Sequence, residues 1–454
     1  MRRLPILPPS ERLASRRALL TAAGLALTLP KLAGAAPAAA PASGSASAAS
    51  AVPAKPAASA TATAASAATV PPATPVAAPA PAPVTPPCHP ATDWVAFSSR
   101  HIQPDGRVID FNTAQQQSTS EGQSYGLFFS LVHNDRAVFA RVLAWTEANL
   151  AGGSLAKQLP AWQWGRKPES GWGVLDPNAA SDADLWIAYS LMEAGRLWND
   201  ANYRALGRSV LAMVVRDEVV SLSGLGRMLL PWPKSVASGA QWRLNPSYMP
   251  LQLLRYFQQA DPAGPWHEVT ENTLRMFGGV TPKGFAPDWC AWSPADRAFV
   301  ADPLKGVTGS YDAIRCYLWA GMLSDKDPAR KMLLLNLRGP RVLLADHQPV
   351  PEYVDTVSGA VRGMAPLGFA GAMLPYLKAT NDTDALAAQV ARVPGGRVVP
   401  VAPNPGAPPV APLPYYEQCL LLFGQAWLDG RYEFGRNGQL QTSWRTLCRP
   451  NRPA

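Results

Sequence analysis

Cysteine and histidine are scarce, with five of each in 454 residues. Cys88, Cys290, Cys316, Cys419 and Cys448 form no CxxC pair, and no HExxH occurs, so nothing in the chain calls for a structural or catalytic zinc. No organic cofactor is expected either. Charge is also sparse. Of the net +9, residues 1–87 hold +6 (seven Lys or Arg against Glu11), leaving +3 for the remainder and no basic stripe suited to nucleic acid. Long apolar runs are missing as well. The run from Ala18 to Leu29 is about a dozen residues, too short to span a membrane, so no transmembrane span is expected in the mature chain. Alternating strand and helix patterns are absent, which excludes a parallel α/β sheet.

What is present begins with an export leader. Arg2, Arg3, Arg12, Arg16 and Arg17 precede that apolar run, and small residues around Ala33-Gly34-Ala35 follow it. Residues 1–35 are therefore read as an export signal, leading to a periplasmic or secreted location. Ser15-Arg16-Arg17 fits twin-arginine export, and an ordinary basic leader is the alternative. From Ala36 to Pro87 nearly every residue is Ala, Pro, Ser, Thr or Val, with Lys55 the only charge. Such a stretch has no large side chains to bury and cannot offset the entropy of ordering, so 36–87 reads as a tether.

Residues 88–450 read as one domain. Its apolar periodicity is helical, with stretches at Ser124–Val132, Asp135–Leu150, Asp182–Trp198, Tyr203–Val219 and Pro246–Gln259. Further stretches are Trp266–Met276, Tyr311–Leu323, Pro328–Leu337, Phe369–Thr380, Asp384–Val393 and Tyr415–Leu428, with one more near Trp94. So many paired helices suit an all-α toroid of helical hairpins. A superhelix is the alternative, without a fixed-period repeat to support it. Loops at 157–180, 221–245 and 281–310 are long and rich in Trp, Pro and Gly, a place where function tends to sit.

Three acids stand at helix entries. Glu121 lies in Ser120-Glu121-Gly122-Gln123-Ser124-Tyr125-Gly126, where GxSxG imitates a serine-hydrolase elbow but lacks the strand that an elbow requires. A carboxyl packed against apolar groups there gains a raised pKa and suits a general acid, whereas a helix N-terminus also favours an acid for its own sake. Asp182 and Asp184 follow Ala180-Ser181, with Ser181 or Asp182 the natural N-cap. Asp312 lies one turn before Arg315, a pair that keeps an aspartate ionised as a base requires; helix capping competes for it too. Trp162, Trp164 and Trp172 precede the second site, and indoles stack on sugar faces. Paired carboxylates beside tryptophans point to carbohydrate hydrolysis.

The run from Ala180 to Trp198, ASDADLWIAYSLMEAGRLW, resembles the signature of family 8 glycoside hydrolases. Ser120–Gly126 looks like that family's acid motif and Tyr311-Asp312-Ala313-Ile314-Arg315 like its base motif. Leu159-Pro160-Ala161-Trp162, Asn245-Pro246-Ser247-Tyr248 and Phe285-Ala286-Pro287-Asp288-Trp289 look closer still to the periplasmic cellulases that accompany bacterial cellulose synthases. The similarity runs from Cys88 to Cys448.

That resemblance implies an (α/α)6 barrel and an inverting endo-β-1,4-glucanase acting on β-1,4-glucan chains. It implies Glu121 as proton donor, Asp312 as base and Asp182 at the cleavage subsite. Tyr125, Trp162, Trp164, Trp172, Asp184, Asn245, Tyr248, Asp288, Trp289, Tyr311 and Arg315 are expected to bind substrate. A monomer is expected, accessory to bacterial cellulose synthesis, with the cellulose synthase complex as partner. Chitosanase or xylanase activity and a non-catalytic glucan-binding scaffold are the alternatives, and the scaffold is disfavoured because all three acids are present. Cys88 and Cys448, which flank the similar region, are expected to form a disulfide, with Cys290 to Cys316 as the rival pairing.

Overall fold

The computed structural model describes residues 91–447, apart from 170, 234–239, 346–348 and 394–412. The expected export signal and tether, and both Cys88 and Cys448, lie outside the described residues. In chain order the helices are α1 (Thr92–His101), α2 (Ser120–Val132), α3 (Arg136–Leu150), α4 (Ser181–Leu197), α5 (Ala201–Asp217), α6 (Leu251–Ala260) and α7 (Trp266–Val280). They continue with α8 (Ala313–Met322), α9 (Arg330–Asn336), α10 (Gly339–Leu344), α11 (Leu367–Ala379), α12 (Thr383–Arg392), α13 (Tyr415–Leu428) and α14 (Ser443–Leu447). No helix among the described residues is long and apolar enough to cross a membrane.

Burial sorts these helices into two rings. All ten residues of α8 are buried, as is every residue of α2 except Glu121 and every residue of α4 except Arg196. Helices apolar on all sides belong inside. Accordingly α2, α4, α6, α8, α11 and α13 pack in succession. The ring closes where Phe423 of α13 meets Phe128 and Phe129 of α2, at centroid distances of 5.4 and 4.6 Å. The outer partners are narrower stripes. Helix α5 buries Gly207, Val210, Leu211 and Val214, one face of a helix, against α4. Likewise α3 covers α2, α7 covers α6, α9 covers α8, α12 covers α11 and α1 covers α13. Six inner and six outer helices make the (α/α)6 barrel. Inner helices approach closely where side chains vanish: a Cβ on Gly424 of α13 would sit 1.9 Å from the Gly371 carbonyl oxygen of α11.

Several boundaries differ from the sequence expectation. Helix α2 starts at Ser120 rather than Ser124, because Thr119 Oγ1 accepts the Gly122 N–H at 3.0 Å. Pro246 opens only a single 3-10 turn, Pro246–Tyr248, and α6 waits until Leu251. Pro250 holds the chain extended just before α6, and the residue ahead of a proline avoids helical geometry. Ser181 and Asp182 do not cap α4; Ala180 occupies that position without a side-chain bond.

The long loops are not irregular but hold short antiparallel sheets. Strands β1 (Ser118–Thr119), β2 (Gln163–Lys167) and β3 (Gly171–Asp176) form one, and β4 (Val219–Leu222) pairs with β5 (Gly226–Leu229). Strands β6 (Trp242–Leu244), β7 (Cys290–Ser293) and β8 (Ala298–Ala301) form another. In the next, β10 (Pro351–Asp355) lies between β9 (Thr308–Gly309) and β11 (Val361–Met364), and β12 (Tyr432–Phe434) pairs with β13 (Leu440–Thr442). None exceeds six residues, too few for an alternating pattern to stand out. Cys290 and Cys316 are buried and not bonded to each other, which removes the rival pairing.

Candidate active site

One arginine collects the three acids. Arg315 Nη1 donates to Glu121 Oε2 and lies 3.6 Å from Asp182 Oδ2, while Nη2 donates to Asp312 Oδ1 at 2.7 Å. The sequence expectation paired Arg315 with Asp312 alone. Nη2 also reaches Ser247 Oγ at 2.9 Å, so the guanidinium is fixed from the side of the Pro246–Tyr248 turn. The acids differ in access: the side chains of Glu121 and Asp312 are 24% and 27% exposed, that of Asp182 only 8%.

Glu121 and Asp312 are each freed from helix capping by another residue. Thr119 caps α2, leaving Glu121, its one residue that is not buried, to reach Arg315. Glu121 thus sits against a cation, not in the apolar pocket expected for it. Asp312 makes no cap bond; Asp288 does that instead, its Oδ1 accepting from the N–H groups of Ser310, Asp312 and Ala313 at 2.7, 3.1 and 2.8 Å. Asp288 was expected to bind substrate, yet it is buried and spent on the start of α8. Burial pushes its carboxyl up to about 7, with the Asp312 charge adding and the three N–H donors opposing.

Asp182 is the acid whose affinity for its proton rises. Burial pushes it up to about 7; the Glu121 and Asp312 charges add to this and Arg315 opposes it. A group so placed holds its proton near neutrality and can donate a hydrogen bond.

Aromatic side chains flank this cluster. Trp289 Nε1 donates to Asp312 Oδ2 at 3.0 Å. Its ring meets Tyr248 (6.1 Å), Trp232 (6.0 Å) and the Arg243 guanidinium (4.7 Å), and Arg243 is itself anchored on buried Asp302 at 2.6 Å. Tyr248 lies under Arg315 at 5.7 Å. Asn245 turns its Oδ1 onto Ser247 N and Oγ at 3.0 and 2.8 Å, shaping the turn that holds Arg315. Trp232, Arg243 and Ser247 were not among the expected site residues, although Trp232 and Arg243 lie in the Trp-rich 221–245 loop and Ser247 in Asn245-Pro246-Ser247-Tyr248.

Other expected site residues fall elsewhere. Trp162 stands beside the acid entry, its carbonyl accepting from Ser120 N at 3.0 Å. Trp164 and Trp172 pair with each other on the outer helix α3, away from Trp289. A register shift between Gln163 and Trp164 breaks the alternation linking Trp162 to Trp164. The Tyr125 ring is buried among Phe129, Trp186 and Phe423. Tyr311 gives its hydroxyl to Glu352 Oε1 at 3.1 Å. Asp184 is fully buried and faces Glu218, a partner no local pattern announces, so it does not line the cleft. Ser124 lies inside α2 and donates to the Glu121 carbonyl at 2.7 Å, which rules out a nucleophile elbow.

Comparison with known proteins gives a family. The family described as glycosyl hydrolases family 8 matches residues 73–430. An endoglucanase of Xanthomonas axonopodis pv. citri (strain 306) is 49% identical over 359 residues, 79% of this chain and 91% of that protein. An endoglucanase of Escherichia coli (strain K12) is 42% identical over 356 residues, 78% of this chain and 92% of that protein. The solved endo-1,4-D-glucanase from Vibrio fischeri ES114 superposes with a TM-score of 0.69 at 37% identity, covering 78% of this chain and 99% of that one.

Proposed function

Since the chain belongs to glycosyl hydrolase family 8 and is a glycoside hydrolase, we propose that it is an endo-β-1,4-glucanase cutting cellulose-type chains with inversion. The observation that carries the chemistry is that Arg315 holds Glu121 and Asp312 on its two terminal nitrogens while both remain open to the cleft. Glu121 protonates the glycosidic oxygen of the leaving chain. Asp312 takes a proton from a water attacking the opposite face of the sugar, so no covalent intermediate forms. Asp182, pushed up to about 7 and so neutral below that pH, donates a hydrogen bond in its protonated form to the sugar at the cleavage point and favours its distorted form. Trp289, Tyr248 and Trp162 offer ring faces and edges to the glucose units.

The substrate assignment draws on relatives named endoglucanase that are 42–49% identical along most of their length. Residues 1–35 direct export, 36–87 tether, and the catalytic domain works as a monomer in the periplasm, trimming glucan made by a cellulose synthase. Side-by-side product analysis on carboxymethylcellulose, xylan and chitosan tests the substrate. Short oligosaccharides should come from carboxymethylcellulose; release from xylan or chitosan alone would replace the assignment.

A further inference from the structure

Outside the acid cluster, one cavity of about 520 Å3 has a wall built for a ligand. It lies on α3 beside the β2–β3 hairpin, lined by Asp105, Arg107, Trp145, Asn149, Trp164 and Trp172, and shares no residue with the Glu121–Asp182–Asp312–Arg315 group. Its volume lies within the range of small-molecule sites, roughly 300–1,000 Å3.

The wall is rigid. Trp164 and Trp172 are within 14° of parallel at 5.4 Å, and Trp145 meets Trp164 edge-on at 5.3 Å. The Arg107 guanidinium lies 4.4 Å from the Trp164 ring and 4.6 Å from that of Trp172. Arg107 is in turn held by Ser118 Oγ at 2.9 Å and by the Gln116 carbonyl. Packing the hairpin onto α3 accounts for Trp164 and Trp145. The Arg166 guanidinium, 5.1 Å from the Trp172 ring and paired with it across the hairpin, accounts for part of Trp172, which still keeps 44% of its surface exposed, but not for the polar groups around it. Asp105 commits Oδ1 to the Arg107 N–H at 3.0 Å, and Asn149 commits its NH2 to the Trp145 carbonyl at 3.0 Å. One carboxylate oxygen and one amide oxygen remain for hydroxyl donors.

A partly exposed indole beside a fixed guanidinium, with acceptor oxygens at hand, is the chemistry that recognises a pyranose: an apolar face to stack and hydroxyls at its rim. The platform also lies at the catalytic end of the barrel, for β2 pairs with β1 at Ser118 and Trp164, and β1 runs directly into Ser120 and Glu121. We propose that this cavity is a second glucan-binding site, which grips a segment of β-linked chain outside the catalytic cleft. The proposal rests on the reading of the substrate as a β-1,4-glucan.

Calorimetric titration of Glu121→Gln with cellotetraose tests it, because that variant binds without turning over. Two sites per chain are expected. Adding Trp172→Ala should reduce the number to one and leave the remaining affinity within twofold. Adding Asn149→Ala instead should weaken the second site severalfold while keeping the count at two. A single site in Glu121→Gln, or two sites undiminished by Trp172→Ala, would overturn the second site and leave the cleft assignment standing. No binding of cellotetraose at all would overturn the glucan reading itself.

Discussion

Asp184 and Glu218 meet carboxyl to carboxyl in the core, both fully buried, with no other residue's N–H or O–H donating to their four oxygens among the described residues. Two ionised carboxylates do not persist in that setting, so the pair holds a proton between them. Burial pushes both well above the ordinary carboxylate range; the Asp184 charge raises Glu218 further, while the hydrogen bond with Glu218 lowers Asp184 and the nearby Asp182 charge raises it.

Stability should therefore depend on pH through this pair. The unfolded chain releases the proton above about pH 4, whereas the folded chain keeps it, so the contribution is full at low pH and is lost as pH rises. A single retained proton corresponds to about 1.4 kcal/mol per pH unit over that window. Glu218→Gln supplies a hydrogen that does not titrate. Its melting temperature should fall less between pH 5 and 9 than that of the unaltered protein. Parallel falls in the two proteins would mean that no proton is shared.

Glu121→Gln should lower cellulase activity by about 10²–10⁴, the usual scale for a lost general acid. The fold should survive, since Thr119 caps α2 and Glu121 is its one residue outside the core. Unchanged circular dichroism with more than a few per cent of activity would remove Glu121 from the acid role.

How far the sequence could be read follows from which signals are local. The inner helices were legible because apolar residues recur through ten or more positions of each, and the 180–198 run located α4 to within a residue. The acids stood out because each interrupts such a helix entry. What could not be read came from pairings distant in sequence. Arg315 meets Glu121 across 194 positions, and Glu218 meets Asp184 only because α5 folds back on α4. Asp288 looked like a ligand residue because nothing in its neighbourhood announces the three N–H groups at the start of α8, more than twenty positions on. The separation of the tryptophans was not legible either. Trp162 and Trp164 share a face in a regular strand, and one bulge separates them.

Asp182 should shape the alkaline limb of the pH–rate profile. Its carboxyl is pushed up to about 7 by burial, so it is neutral below that pH and ionised above it. If the neutral form assists, kcat/KM on carboxymethylcellulose should decline as pH passes about 7. Asp182→Asn, neutral at every pH, should be slower overall but should lose that limb. A limb at the same pH in the variant assigns it to another group.

Inversion makes a stereochemical prediction. With a water between Asp312 and the sugar, the Glu121 and Asp312 carboxyls should stand roughly 6.5–9.5 Å apart in a substrate complex. Proton NMR within minutes of mixing should show the α anomer at the new reducing end. Initial appearance of the β anomer would instead require a covalent intermediate and a carboxylate acting as nucleophile.

The two ends of the described chain converge on one helix, which bears on the outermost cysteines. The Trp94 ring of α1 stacks on His133 at 5.6 Å and tilts against Phe129 at 6.5 Å, at the end of α2. Trp444 of α14 donates its indole N–H to the Leu131 carbonyl of α2 at 3.1 Å. Cys88 precedes Trp94 by six positions and Cys448 follows Trp444 by four, so short segments lead from this shared anchor to each thiol. A disulfide between them is expected once the chain reaches an oxidising compartment. Closing a loop of several hundred residues stabilises by about 5 kcal/mol in the chain-entropy model, an upper figure. With α1 and α14 already seated on α2, the bond would lock a formed barrel rather than guide its assembly. Non-reduced tryptic peptides analysed by mass spectrometry should contain a Cys88–Cys448 cross-link that disappears on reduction. Full alkylation of Cys88 in the untreated exported protein would show that the bond is absent.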